Sequence, residues 1–300
     1  MVKRLTSPSI HWINSLLLIT SLWSTCFTGY SQSLSKYRSD RIDVNGIQRD
    51  YFIYVPETKS GYFDMPLVLN FHGYGLSAQD QIERSDMSTL AQKDHFIVVY
   101  PQGSYLNGKR HWRVGSYTRA SRAEDIAFVE ELIDHLSEEL PVDKDKVYAC
   151  GFSNGGYFSL RLACTRPDLV AAAASVGGTM SRENYDGCLT SRGVPVFLIN
   201  GRQDAIVPLQ GKSEKGYMPI RTVIQKWCRK NDCNYRSNQT FTLDCAEQNN
   251  VERIRYLDGN GTLRVQQDVV QGGGHEWLDV EGCGYNSSRQ VWLFLRRFSK

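Results

Sequence analysis

Serine, histidine and a carboxylate acting together can transfer acyl groups, and this chain carries one set in a usable order. Gly151-Phe-Ser153-Asn-Gly155 follows a strand-forming run, Val147 to Cys150, and precedes a helical pattern from Gly156 to Cys164. A serine on so sharp a strand-to-helix turn has a strained backbone, and the residues two before and two after it must be small. The turn exposes the hydroxyl and aims the first helix amides, with their partial positive charge, at any anion formed beside it. A hydroxyl is a poor nucleophile at neutral pH and needs a base, usually a histidine oriented by a carboxylate. Of six histidines, only His275 lies beyond Ser153, in Gln271-Gly-Gly-Gly-His275-Glu-Trp277. Asp204 follows the apolar run Val194 to Asn200 by four residues, before Pro208, and is the expected acid. Asp186, Glu183, Glu214, Asp232, Asp244 and Asp258 lie in polar or turn-rich stretches, and Glu276 is read as surface or substrate rim.

An oxyanion needs two preorganised donors. The backbone N–H of Asn154, directly after the serine, is one. The amide of Tyr74, in the loop His72-Gly73-Tyr74 after the apolar run Pro66 to Phe71, is the other; His72 itself reads as a structural loop residue. The aromatic stretch Tyr105 to Tyr117, which contains Trp112, and Trp277 offer a platform for a phenolic ring or sugar; ordinary packing is the competing reading.

The elements that must position these groups alternate between strand and helix. Arg41 to Val55 holds two strand patterns around Asn45-Gly46; Pro66–Phe71, Phe96–Tyr100, Val147–Cys150, Val170–Val176 and Val194–Asn200 read as buried strands. Helical patterns cover Asp86–Asp94, Asp125–Leu140, Gly156–Cys164, Ile220–Lys230 and Ser288–Phe298. Gln102 to Arg122 reads as a long functional loop, and Asn231 to Asn250 as a disulfide-held excursion. Val251–Tyr256 and Leu263–Val270 form a strand pair across Asp258-Gly-Asn-Gly261. This alternation predicts an α/β fold with a mostly parallel central sheet flanked by helices.

The composition, 41% hydrophobic and 22% charged, is ordinary for a globular protein. A net charge of +3, or +1 without Lys3 and Arg4, argues against nucleic acid and anionic membranes as partners. Residues 1–31 read as a secretion signal: a basic start, an apolar run from Ile13 to Phe27 and small residues before Gln32. Residues 32–300 then form a single catalytic domain, extracellular or periplasmic, with no stable membrane association. Seven cysteines remain, so one must be unpaired, and Cys150, inside the elbow strand, is the natural candidate. The other six allow up to three disulfides; Cys164 with Cys188, and pairings among Cys228, Cys233, Cys245 and Cys283, are open alternatives. Their spacing matches no zinc pattern, and neither metal nor cofactor is expected.

His72-Gly73, Asp125-Ile-Ala-Phe128, Gly151-Phe-Ser-Asn-Gly-Gly156, Arg161-Leu-Ala-Cys164, Gly201-Arg-Gln-Asp204-Ala-Ile-Val-Pro208 and Gly272-Gly-Gly-His275-Glu-Trp277 occur in that order. Together they resemble the secreted esterases grouped as polyhydroxybutyrate depolymerase-like and feruloyl/acetylxylan esterases of carbohydrate esterase family 1, over roughly residues 42–298. The resemblance implies an α/β-hydrolase fold without a lid domain, a Ser153, Asp204, His275 triad, and oxyanion donors at Tyr74 and Asn154. The family often has cysteine at Tyr74, histidine at Asn200 and proline at Leu278. The implied activity is hydrolysis of carboxylic esters, feruloyl or acetyl groups on plant polysaccharide, through an acyl-enzyme. A poly(3-hydroxybutyrate)-type depolymerase or oligomer hydrolase is the alternative. The absence of an attached carbohydrate- or polymer-binding module tilts the expectation towards soluble esters. An inactive fold used only for binding is opposed by the complete Ser/Asp/His set.

Overall fold

Apolar residues run almost without interruption along the central strands, so that alternate side chains are buried on both faces of one sheet. In the computed structural model, which describes residues 34–57, 63–190, 192–245, 250–280 and 282–300, ten strands form that sheet. The expected signal segment, residues 1–31, lies outside the described residues.

In chain order the elements are β1 (Arg38–Val44), β2 (Ile47–Tyr54), β3 (Met65–Phe71), α1 (Ala78–Ser85), α2 (Ser88–Asp94), β4 (Ile97–Pro101), β5 (Ser104–Leu106), β6 (Lys109–His111), α3 (Asp125–Glu139) and β7 (Val142–Phe152). They continue with α4 (Asn154–Thr165), β8 (Ala172–Val176), α5 (Arg182–Asp186), β9 (Val196–Gly201), α6 (Ile220–Lys230), β10 (Cys233–Leu243), β11 (Val251–Asp258), β12 (Leu263–Val270) and α7 (Ser287–Leu295). The sheet order is β1-β2-β4-β3-β7-β8-β9-β12-β11-β10. The six central strands, β4 to β12 in that order, pair in parallel, and two antiparallel strands extend each side. This is an α/β-hydrolase fold.

On β7, Val147 and Ala149 face one core layer, and Tyr148, Cys150 and Phe152 face the other. Helices α3, α4 and α6 cover the first layer with Phe128, Leu132, Phe158, Val223 and Trp227. Helices α1, α2 and α7 cover the second with Ile82, Ala91, Val291 and Leu295. Burial of such side chains stabilises by roughly 1.5–3 kcal/mol each, and the two layers fix the strands whose carboxyl ends carry the loops described below.

Three segments differ from expectation. The region before β4 is two helices rather than one, because Ser77 and Asp80 form a capping box that starts α1 early. The segment 102–122 is not structureless: β5 and β6 form a hairpin through Asn107 (φ 51°) and Gly108 (φ 73°), a two-residue turn whose twist suits paired strands. The excursion after α6 is largely β10, an edge strand paired with β11. Disulfides join Cys164 to Cys188 and Cys245 to Cys283, and Cys150, Cys228 and Cys233 carry free thiols. Among the described residues two bridges form, within the up to three expected, and Cys150 is the buried thiol in the elbow strand, its pKa pushed up by burial.

Candidate active site

Parallel strands all deliver their following loops to one edge, and four of those loops converge here. Phe71 leads to His72-Gly73-Tyr74, Phe152 to Ser153, Gly201 to Asp204 and Val270 to the His275 loop. Ser153 has φ 49° and ψ −115°, a conformation rarely adopted outside glycine. The surroundings over-determine it: Ser153 donates its backbone N–H to Val176 O at 2.8 Å, and its own carbonyl accepts from Tyr157 N at 3.0 Å. Gly155 explains the small-residue requirement, because a Cβ there would lie 2.1 Å from the Phe71 carbonyl oxygen. The elbow helix and β3 therefore meet backbone to backbone.

His275 Nε2 lies 3.0 Å from Ser153 Oγ, and His275 Nδ1 lies 2.7 Å from Asp204 Oδ2. The other carboxylate oxygen of Asp204 accepts the backbone N–H groups of Ile206 and Val207, both at 2.8 Å. Burial alone would raise this carboxyl, but the His275 hydrogen bond and the two amides outweigh it and hold its pKa below the usual range. The Asp204 side chain is 0% exposed and that of His275 18%. The acid is thus sealed beneath an imidazole that still reaches the cleft. The two loops are tied to each other by Arg202 N to Val270 O and Gln203 N to Gly273 O, both 2.9 Å. That approach depends on Gly201, where a Cβ would lie 2.3 Å from Gly273 O.

A cleft of about 1010 Å³ opens over Ser153 and His275. Tyr74, Tyr117, Tyr157 and Tyr217 form a run of edge-to-face contacts along it, with ring centroids 5.5–6.3 Å apart. Burial raises the pKa values of Tyr117, Tyr157 and Tyr217, so these walls are neutral phenols. Ile206 and Val207 add apolar surface, while Arg119, Arg182, Glu183 and Asp186 contribute charge from and beside α5. A neutral aromatic recess next to an exposed hydroxyl and imidazole can seat a flat acyl group and leave a polar remainder at the rim.

Of the expected residues, Ser153, Asp204, His275 and Tyr74 gather at this cleft, and Asn154 opens α4 immediately below it. The amide of Asn154, the first helical residue, has no carbonyl one turn earlier in its helix to bond. His72 is fully buried, with Nδ1 2.8 Å from Gly73 O and Nε2 receiving Gly103 N at 2.9 Å and Gln102 Nε2 at 3.0 Å; burial lowers its pKa to about 4. Trp112 and Trp277 do not line the cleft. Trp112 is 0% exposed and stacks on Phe158, 5.0 Å between centroids. Trp277 is 7% exposed and donates its indole N–H to Ser288 Oγ at 3.1 Å. Both indoles satisfy their N–H inside the protein, which is why they pack rather than present a platform. The aromatic surface at the cleft comes from tyrosines instead. Tyr157 and Tyr217 were hidden from sequence reasoning because they arrive from α4 and from the turn before α6, far apart along the chain.

The sequence profile of the family described as "Esterase PHB depolymerase" matches residues 49–207. Feruloyl esterase B of Piromyces equi is 27% identical over 84% of this chain and 45% of its own length. Poly(3-hydroxyalkanoate) depolymerase C of Paucimonas lemoignei is 32% identical over 74% of this chain and 57% of its own. The chain thus spans about half the length of these two curated relatives. Acetyl xylan esterase from Aspergillus awamori has a similar fold, with TM-score 0.63 at 16% identity over 86% of this chain and 98% of that one.

Proposed function

Because the chain belongs to the esterase PHB depolymerase family, we propose that it is a secreted serine esterase that cleaves carboxylic esters through an acyl-enzyme. The observation that carries this reading is the hydrogen-bonded chain from Asp204 through His275 to Ser153, ending in the tyrosine-walled cleft. Ser153 Oγ attacks the ester carbonyl while His275 Nε2 takes its proton. Asp204 holds Nδ1–H and stabilises the imidazolium. The oxyanion is received by the amides of Tyr74 and Asn154. His275 returns the proton to the departing alcohol, and a water activated by the same imidazole then releases the acid. Substrates are feruloyl or acetyl esters of plant polysaccharide, and the four tyrosines favour the aromatic acyl group. Secretion is supported by the character of residues 1–31 and by two disulfides.

A second reading, hydrolysis of poly(3-hydroxybutyrate)-type polyesters or oligomers, is favoured by the 32% identity to the Paucimonas lemoignei depolymerase. A fluorophosphonate probe is expected to label the protein and not its Ser153→Ala variant; a folded, unlabelled protein rejects the serine mechanism. His275→Ala is expected to lower kcat by about 10⁶-fold and Asp204→Asn by about 10⁴-fold. Comparing kcat/KM on methyl ferulate, acetylated xylan and hydroxybutyrate oligomers separates the substrates, and equal or better turnover of the oligomers overturns the preference.

A further inference from the structure

One proposed oxyanion amide sits in the loop after β3 and the other at the first residue of α4, after β7, so their relative position needs something that spans them. The segment Gly103 to Tyr117 lies against both. Asn154 and Trp112 pair like two peptide groups: the Trp112 backbone N–H donates to Asn154 Oδ1 at 2.7 Å, and Asn154 Nδ2 donates to the Trp112 carbonyl at 3.1 Å. The same Asn154 Nδ2 also donates to the Tyr117 hydroxyl at 2.9 Å. In the other direction, the Trp112 indole N–H donates to the carbonyl of His72 at 3.1 Å, two residues before Tyr74. The Gly75 amide, one residue after Tyr74, donates to Arg110 O at 2.8 Å. His72, Trp112 and Asn154 are each 0% exposed.

The segment is itself anchored. The Arg113 amide donates to Asp125 Oδ2 at 2.7 Å, and Asp125 Oδ1 is held by the buried guanidinium of Arg49 at 2.9 Å. The Trp112 ring also meets Phe71 edge-on at 5.0 Å, next to the strand end from which the first loop departs.

We propose that Trp112 and the Asn154 side chain are positioning residues that clamp the two oxyanion loops at a fixed separation, so that the Tyr74 and Asn154 amides point at one atom. This rests on the assignment of Ser153 as nucleophile. The clamp touches no substrate; it acts through the two amides. Trp112 belongs to the chemistry as a strut between donors. Through Tyr117 the same Asn154 side chain also sets one tyrosine of the cleft wall.

Trp112→Phe keeps an aromatic ring in the stack but removes the indole N–H bound to His72 together with part of the ring volume, a loss that Trp292→Phe shares. On p-nitrophenyl acetate, kcat per site titrated with a fluorophosphonate is expected to fall about 10- to 100-fold, with KM changing less than about twofold. Trp292→Phe serves as the comparison, since it removes another buried indole hydrogen bond, 2.6 Å to Asp94 Oδ2, away from the cleft. It is expected to lose stability without losing kcat per titrated site. In an Asn154→Ala background, Trp112→Phe is expected to cost clearly less than in the wild type, because the strut is already detached at one end. If the wild type is labelled at Ser153 but Trp112→Phe keeps its kcat, or loses no more than Trp292→Phe, the clamp is wrong. Fully additive losses with Asn154→Ala also overturn it. If the folded wild type is not labelled at all, the nucleophile assignment fails instead.

Discussion

At the scale of single residues, Ser153, Asp204 and His275 arrive after three different strands and meet only through the fold. Ser153 had one histidine after it, and Asp204 stood in the loop after a buried strand; the hydrogen bonds of 2.7 and 3.0 Å join these three side chains. Trp112 and Trp277 were harder to read because an indole looks the same in a sequence whether it faces solvent or core. His72 carries a prediction of its own. Its ordinary pKa of 6.5 falls to about 4 in the fold, chiefly through burial, so between those values the unfolded chain binds the extra proton. Stability is therefore full above about pH 6.5 and is lost as pH falls towards 4, by about 3 kcal/mol for this group. Urea unfolding at pH 7 and pH 4.5 is expected to show that loss. His72→Gln is expected to reduce the difference, leaving the part owed to His111, whose pKa burial also lowers, and to the carboxylates. An unchanged difference assigns the pH dependence elsewhere.

At the scale of elements, long buried strands and strongly patterned helices matched their apolar runs, and Ile220–Lys230 did so to the residue. The failures share a physical cause. Strand β10 is mostly exposed on both faces, so it carries no alternating pattern to read. Strands β5 and β6 are three residues each, too short for any period, and only Asn107-Gly108 marked their turn. Strand β12 shows how an element fixes a loop. Its Asp268 is fully buried, holds Arg253 of β11 through two hydrogen bonds of 2.8 and 2.5 Å, and accepts the Tyr285 hydroxyl at 2.8 Å. Arg253 also donates to Gln290 of α7 at 2.9 Å. Asp268→Asn leaves a buried guanidinium without its counter-charge and is expected to cost about 3–5 kcal/mol, measured as a lower urea midpoint. Replacing the pair together, as Arg253→Met with Asp268→Leu, is expected to cost less than Asp268→Asn alone. The reverse order would show that the ion pair is not what holds β11, β12 and α7 together.

At the scale of the whole molecule, the alternation of strand and helix was enough to anticipate a parallel sheet covered on both faces, while the disulfides were legible only as a set of possibilities. Cys164–Cys188 closes a separation of 24 residues, running from the end of α4 past α5, beside the cleft wall. Cys245–Cys283 closes 38 residues and ties the end of β10 to the segment just before α7. Chain-entropy reasoning gives roughly 3–4 kcal/mol for loops of these lengths. Thermal unfolding with and without reductant is expected to show a drop in Tm of several degrees for each bridge lost, and an unchanged Tm would mean that native contacts already fix these loops.

The same sheet has a second end. The Lys300 amide donates to the carbonyl of Asp145 at 2.9 Å, near the start of β7, whereas Ser153 follows immediately after that strand. At the rise of an extended strand, the run from Asp145 to Ser153 spans about 25 Å. Residue 300 is thus a handle on the side of the molecule remote from the cleft. Protein immobilised on a resin through a linker at this position is expected to keep the kcat/KM of the free protein on a small soluble ester, and on a bulky polysaccharide it is expected to present its cleft outward to the liquid. A large loss on the small ester would show that the handle and the cleft are not independent.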